Sequence, residues 1–123
     1  MKSKTIYDML GEDNLRLMVN NFYDLVQQND IISPLFQGDF ESIRKKQFMF
    51  LSQFFGGPGL YSAEFGHPKM RMRHLPHKIT VEAKDEWLKC MQKAVESLDI
   101  EPKLKDAIYH SFPAIAQHMV TAN

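Results

Sequence analysis

Apolar residues recur at helical spacing along almost the whole chain, and this limits the fold more than any other feature. Leu15, Val19, Phe22 and Val26 form one stripe, with Tyr23 at its edge. Phe40, Ile43, Gln47, Phe50 or Leu51, and Phe54 form a second. Trp87, Met91, Ala94 and Leu98 form a third, widened by Leu88 and Val95. Leu104, Ile108, Phe112, Ile115 and Met119 form a fourth. The expectation is an all-α fold in which each helix turns one face to a shared core.

The punctuation between stripes sets the boundaries. Glu12 and Asp13, after Gly11, suit the positive end of the first long helix. A short turn runs from Asp30 to Phe36, shaped by Pro34. The second helix extends from Asp39 to Phe55, and Gly56-Gly57-Pro58-Gly59 ends it. Residues 60–79 read as loop, broken by Gly66, Pro68 and Pro76, with room for one short helix around Lys69–His74. A connection of that length inside a compact domain points to function. Thr80 is the expected N-cap of the third helix, with Glu82 in its first turn and Asp85 paired to Lys89 on its surface. Pro102 opens the last helix, and Pro113 should remove one backbone hydrogen bond and bend it.

A chain of 123 residues without repeats or a dividing linker is expected to be one domain over residues 1–123. Lys+Arg and Asp+Glu each number 15, so the balanced charge argues against nucleic acid as a partner. No apolar run approaches the roughly 18 residues of a membrane span. The Met1–Tyr7 segment has lysines but no apolar run, so no secretory signal is expected there. Cys90 is the only cysteine, which excludes an intrachain disulfide and suits a cytoplasmic location. Nine Phe and eight Met suit an irregular apolar cavity as well as an ordinary core.

Two features carry chemistry. Gln47 stands in an apolar stripe, where a buried amide must find hydrogen-bond partners. His67, His74 and His77 lie close together. A zinc site would need three or four ligands in tetrahedral array, and the stiff Pro76 turn, the single thiol and the lack of a His-Glu-x-x-His pattern disfavour one. Haem needs one axial ligand, an apolar slot and cations for its propionates. His74, flanked by Met70, Met72, Leu75, Arg71 and Arg73, offers all three together. Tyr23, Gln47 and Trp87 add a phenol, an amide and an indole N–H from three different helices.

The run Phe65-Gly66-His67-Pro68-Lys69-Met70-Arg71-Met72-Arg73-His74-Leu75-Pro76 resembles a signature of the group II, or O-type, truncated haemoglobins. So do Asn21-Phe22-Tyr23, Gln53-Phe54-Phe55-Gly56-Gly57-Pro58 and Trp87-Leu88-Lys89-Cys90-Met91, in matching order, from Thr5 to Val120. The resemblance implies a two-over-two sandwich of helices around haem b, with His74 as the proximal iron ligand. It implies Tyr23, Gln47 and Trp87 around the bound ligand on the distal side, Phe36 packed against the ring and Ile43 gating the distal pocket. Lys46 and Arg73 become the expected propionate partners, with Tyr61 and Arg71 near the same edge. Phe50, Leu51 and Met70 are expected to line the ring. Two positions depart from the family pattern. His77 stands where Phe is frequent, and exposure is the favoured reading for it. Ile43 is bulkier and more apolar than is common there, so it cannot donate to a ligand and should slow ligand entry.

The resemblance implies reversible binding of O2 or another diatomic ligand. The alternatives are a haem enzyme for nitric-oxide dioxygenation or peroxide detoxification, served by an external reductase, and a helical interaction module without cofactor. A monomer and a homodimer are both compatible with the neutral composition.

Overall fold

The computed structural model describes residues 4–36, 38–66, 79–118 and 120, with the side chains of residues 114, 115 and 118 left out. Among them it is helical, with no strand. In order these are α1 (Ile6–Leu10), α2 (Glu12–Gln27), a 3-10 turn (Ser33–Leu35), α3 (Phe40–Phe54), α4 (Leu60–Phe65), α5 (Val81–Glu96), α6 (Pro102–Tyr109) and α7 (Pro113–His118).

The long helices start where their caps place them. Asp39 accepts from the Glu41 backbone N–H at the head of α3, and Thr80 from Ala83 N–H at the head of α5. The α2 stripe is buried as expected: Leu15, Val19, Phe22 and Val26 are joined by Met18 and Tyr23. Helix α2 packs on both α3 and α5, and α5 carries α6 and α7, giving two helical pairs that share the buried face of α2.

Four local expectations change. The loop reading of residues 60–79 is corrected at its start, because α4 occupies Leu60–Phe65; the helix expected around Lys69–His74 lies outside the described residues. Helix α1 was not anticipated; it is held by a reciprocal box in which Asp8 N–H donates to Thr5 Oγ1 and Thr5 N–H to Asp8 Oδ2. Pro113 does more than bend the last helix. The chain leaves α6 through a turn at His110–Phe112, and Pro113 begins α7, where its missing N–H is harmless. Asp85 pairs with Lys84 at 3.3 Å and Lys89 with Glu86 at 3.9 Å, not with each other.

The Gly56-Gly57 break also receives α1. Tyr7 N–H donates to the Phe55 carbonyl at 3.0 Å, and the Tyr7 ring lies so close that a Cβ on Gly57 would come within 2.5 Å of it. Gly56 has φ of 89°, a left-handed conformation that side chains resist. Behind this turn Ser52 is wholly buried, its hydroxyl donating to the Pro58 carbonyl at 3.3 Å.

Candidate functional site

The candidate site is built on rings from every long helix. Phe22 and Tyr23, adjacent on α2, meet edge to face at 4.8 Å. Tyr23 also meets Phe36, after the 3-10 turn, at 5.6 Å, and Phe40, at the head of α3, at 6.1 Å. On the other side Phe22 touches Trp87 of α5 at 5.1 Å, and Trp87 touches Phe112 at 5.5 Å. Phe112 continues to Phe54 at 6.3 Å and Phe54 to Phe50 at 5.7 Å, both stacked. Phe50 then meets Tyr61 of α4 at 5.9 Å, and Tyr61 meets Phe65 at 5.0 Å. Ten aromatic side chains thus form a continuous arc from Phe40 to Phe65.

Three residues carry polar tips: Tyr23 and Trp87 within the arc, and Gln47 on α3, between Ile43 and Phe50. Tyr23 is only 3% exposed; Gln47 and Trp87 are half-buried. Within the described residues the Tyr23 hydroxyl, the Gln47 amide and the Trp87 indole N–H make no hydrogen bond, yet no buried side-chain nitrogen or oxygen is left without a partner. The three groups therefore border open space rather than being sealed against apolar atoms. Burial pushes the Tyr23 phenol far above its usual range, partly opposed by the charge of Arg44. It is a neutral donor at physiological pH.

At the outer end of the arc, Lys46 holds its Nζ 4.8 Å from the Phe65 ring centroid. No carboxylate pairs with Lys46 among the described residues. Ile43 is half-buried and packs on the core, and Leu51 is buried. The structure thus gathers Tyr23, Phe36, Phe50, Tyr61 and Trp87 into one connected surface, with Ile43, Lys46 and Gln47 on the helix that supplies Phe50. His74, Arg71 and Arg73, with Met70, His67 and His77, lie outside the described residues. Cys90, one turn beyond Trp87, is buried, and burial together with nearby Glu86 pushes its thiol upward against Lys93, which makes it a poor thiolate ligand.

Sequence reasoning placed Phe22, Phe40, Phe54 and Phe112 in inner stripes without linking them to the site. The large number of phenylalanines was the available signal. It also passed over Arg44, a cation between the inward positions Ile43 and Gln47.

Residues 5–121 match the family model described as bacterial-like globin. Group 2 truncated hemoglobin YjbI of Bacillus subtilis is 39% identical over 114 residues, which cover 93% of this chain and 86% of that protein. The crystal structure of the group II truncated hemoglobin from Bacillus anthracis superposes with a TM-score of 0.94 at 34% identity, covering 99% of this chain and 95% of that one. The X-ray structure of a truncated oxygen-avid haemoglobin from Bacillus subtilis gives a TM-score of 0.90 at 38% identity, covering 95% and 99% of the two chains. With helices alone among its described residues, and with sequence and fold agreeing over nearly its full length, the chain belongs to the bacterial-like globins, as a group II truncated haemoglobin of the two-over-two fold.

Proposed function

We propose that this single-domain protein holds haem b through His74 and binds O2, or another diatomic ligand, with high affinity from slow release. The carrying observation is a set of three donors without a hydrogen-bond partner among the described residues: Tyr23 and Trp87 within the aromatic arc, and Gln47 half-buried on the helix that supplies Phe50. The residues present fit the group. The arc from Phe36 to Tyr61 offers apolar faces for a flat ring, and Lys46 offers a cation that pairs with no carboxylate among the described residues. Arg73, Arg71 and Tyr61 complete the proposed propionate edge. The single, buried thiol suits a haem held without thioether bonds, since covalent attachment uses a Cys-x-x-Cys-His run that this chain lacks.

When bound, ferrous haem supplies a metal that takes a diatomic ligand and passes electron density to it. The protein's share is what it donates and what it excludes. Tyr23, Gln47 and Trp87 donate to the partly negative ligand. Such charge-assisted bonds contribute about 1.5–3 kcal/mol each. Two of them slow release by roughly 10²- to 10⁴-fold, at a factor of ten per 1.4 kcal/mol. Ile43, apolar and half-buried, adds bulk without a donor. The similarity to an oxygen-avid truncated haemoglobin supports the same direction of effect.

Stopped-flow displacement of O2 by CO from the haem-loaded protein tests the reading. Trp87→Phe keeps the ring contacts to Phe22 and Phe112 while removing the N–H, and it is expected to speed O2 release by at least about tenfold. An unchanged off-rate overturns the donor role.

A further inference from the structure

Arg44 binds α3 to α2 through a multipoint clamp that the haem site does not itself explain. Its Nη1 donates to the Asn20 carbonyl at 2.9 Å and reaches Asn20 Oδ1 at 3.4 Å. Its Nη2 donates to Asp24 Oδ1 at 2.8 Å and to Gln27 Oε1 at 2.7 Å. These acceptors, four and three residues apart, make one stripe along the last two turns of α2. The Arg44 side chain is 20% exposed and that of its partner Asp24 62%, so the fork lies at the surface with its arginine side largely covered.

The placement of this clamp matters. On α2 it grips the residues on either side of Tyr23, and on α3 it starts three residues before Gln47, on an adjacent face. Tyr23 and Gln47 therefore project from two helices that this planar, five-donor group joins at several points. No other ion pair joins α2 to α3 among the described residues. One further charged contact crosses these helices farther from the donors: Arg16, paired with Glu12 along α2 at 3.4 Å, lies over the Phe48 ring of α3 at 4.4 Å. Arg44 is also the charged group that acts on the Tyr23 phenol against burial, so its field reaches the donor as well as its backbone.

We infer that Arg44 is a positioning residue of the ligand site: its fork across Asn20, Asp24 and Gln27 sets the register in which Tyr23 and Gln47 present their donors to a bound diatomic ligand. The inference rests on the functional reading above. Loss of the fork lets α3 slide on α2, and a donor displaced by a fraction of an ångström loses much of its bond. Lysine cannot replace it, because an ammonium on a flexible stem does not span three acceptors in a fixed plane.

The test uses the haem-loaded protein with CO and O2 as probes. The C–O stretch of the ferrous carbonyl falls when neighbours donate to its oxygen, so it reports donor placement directly. Arg44→Met is expected to move that band to higher frequency or split it, and to raise the O2 off-rate by about tenfold. Arg44→Lys is expected to recover less than half of that change on a logarithmic scale. In the Arg44→Met background, Tyr23→Phe should have a smaller effect than in the parent, since the donor is already displaced. A purely structural brace would lower the unfolding midpoint while leaving the carbonyl band, the off-rate and the Tyr23→Phe effect as in the parent, and that result overturns the inference. Should Arg44→Met fail to fold, the double variant Asp24→Asn with Gln27→Leu weakens the clamp from the α2 side and is read by the same two outcomes. A parent protein with no haem band sinks the functional reading itself; a haem-loaded parent whose off-rate responds to Tyr23→Phe but not to the Arg44 variants sinks this inference alone.

Discussion

At the scale of single residues, Tyr23 shows how packing makes a donor out of a side chain that could have been ordinary core. Three phenylalanine rings meet its ring edge to face, at 4.8, 5.6 and 6.1 Å, and leave its hydroxyl beside open space. Burial holds the phenol in its neutral form, and its pKa is raised. An unfolded tyrosine ionises near a pH of about 10, so folding stability from this group is constant below that value and falls as pH rises through it. Urea midpoints measured across the alkaline range are expected to fall less steeply in Tyr23→Phe than in the parent above a pH of about 10. Equal slopes would contradict a buried phenol. The same substitution in the haem-loaded protein should raise the O2 off-rate by at least about tenfold at neutral pH. At this scale the sequence is legible where an anomaly stands out: Gln47 in an apolar stripe is half-buried, and its role in a polar pocket is part of the proposal. Ion pairing is not legible. Asp85 has Lys84 and Lys89 both within reach, and spacing alone does not decide between neighbours whose pairing energies differ by a few tenths of a kcal/mol.

At the scale of elements, the sequence places the N-cap of α5 at Thr80, where a long amphipathic stripe follows it, and starts α3 within one residue, Asp39 being its N-cap rather than its first residue. Thr80→Ala is expected to lower stability by about 1 kcal/mol, seen as a lower urea midpoint with an unchanged slope. The short elements escaped. Helix α4 has six residues between Gly59 and Gly66, too few turns for a periodic stripe to register. Helix α1 has five, and a Thr-x-x-Asp box is too common a pattern to identify a helix alone. Its docking depends on a contact between distant parts of the chain, the Tyr7 ring against Gly57, which no local pattern reveals. Gly57→Ala must displace that ring and is expected to cost about 1–3 kcal/mol in chemical denaturation. A neutral result would mean that α1 docks loosely. Pro113 illustrates competition between levels: the apolar stripe continues across it, but a residue without an N–H opens a new helix more easily than it sits inside an old one.

At the scale of the whole molecule, α2 is shared between the α3 side and the α5 side, so two adjacent residues of one helix reach rings on both: Tyr23 meets Phe40 of α3 and Phe22 meets Trp87 of α5. The aromatic arc gives that arrangement a lining, and no helix among the described residues is long and apolar enough to cross a membrane. A group that binds only the folded chain stabilises it by about 4 kcal/mol at a thousand times its dissociation constant, so haem loading is expected to raise Tm by more than about 10 °C over the haem-free chain. The fold class was legible because four long stripes share one period. The arc as a connected surface was not, because its links join rings far apart in sequence, such as Trp87 with Phe22 and Phe54 with Phe112. Haem held by His74 opposite the donors Tyr23, Gln47 and Trp87 is the central claim. It is tested most directly by resonance Raman spectra of the haem-loaded ferrous protein, parent and His74→Ala. The parent is expected to show an iron–histidine stretch that disappears in His74→Ala and returns in shifted form when imidazole is added. A parent without that band, or a variant that keeps it unaltered, would contradict the claim.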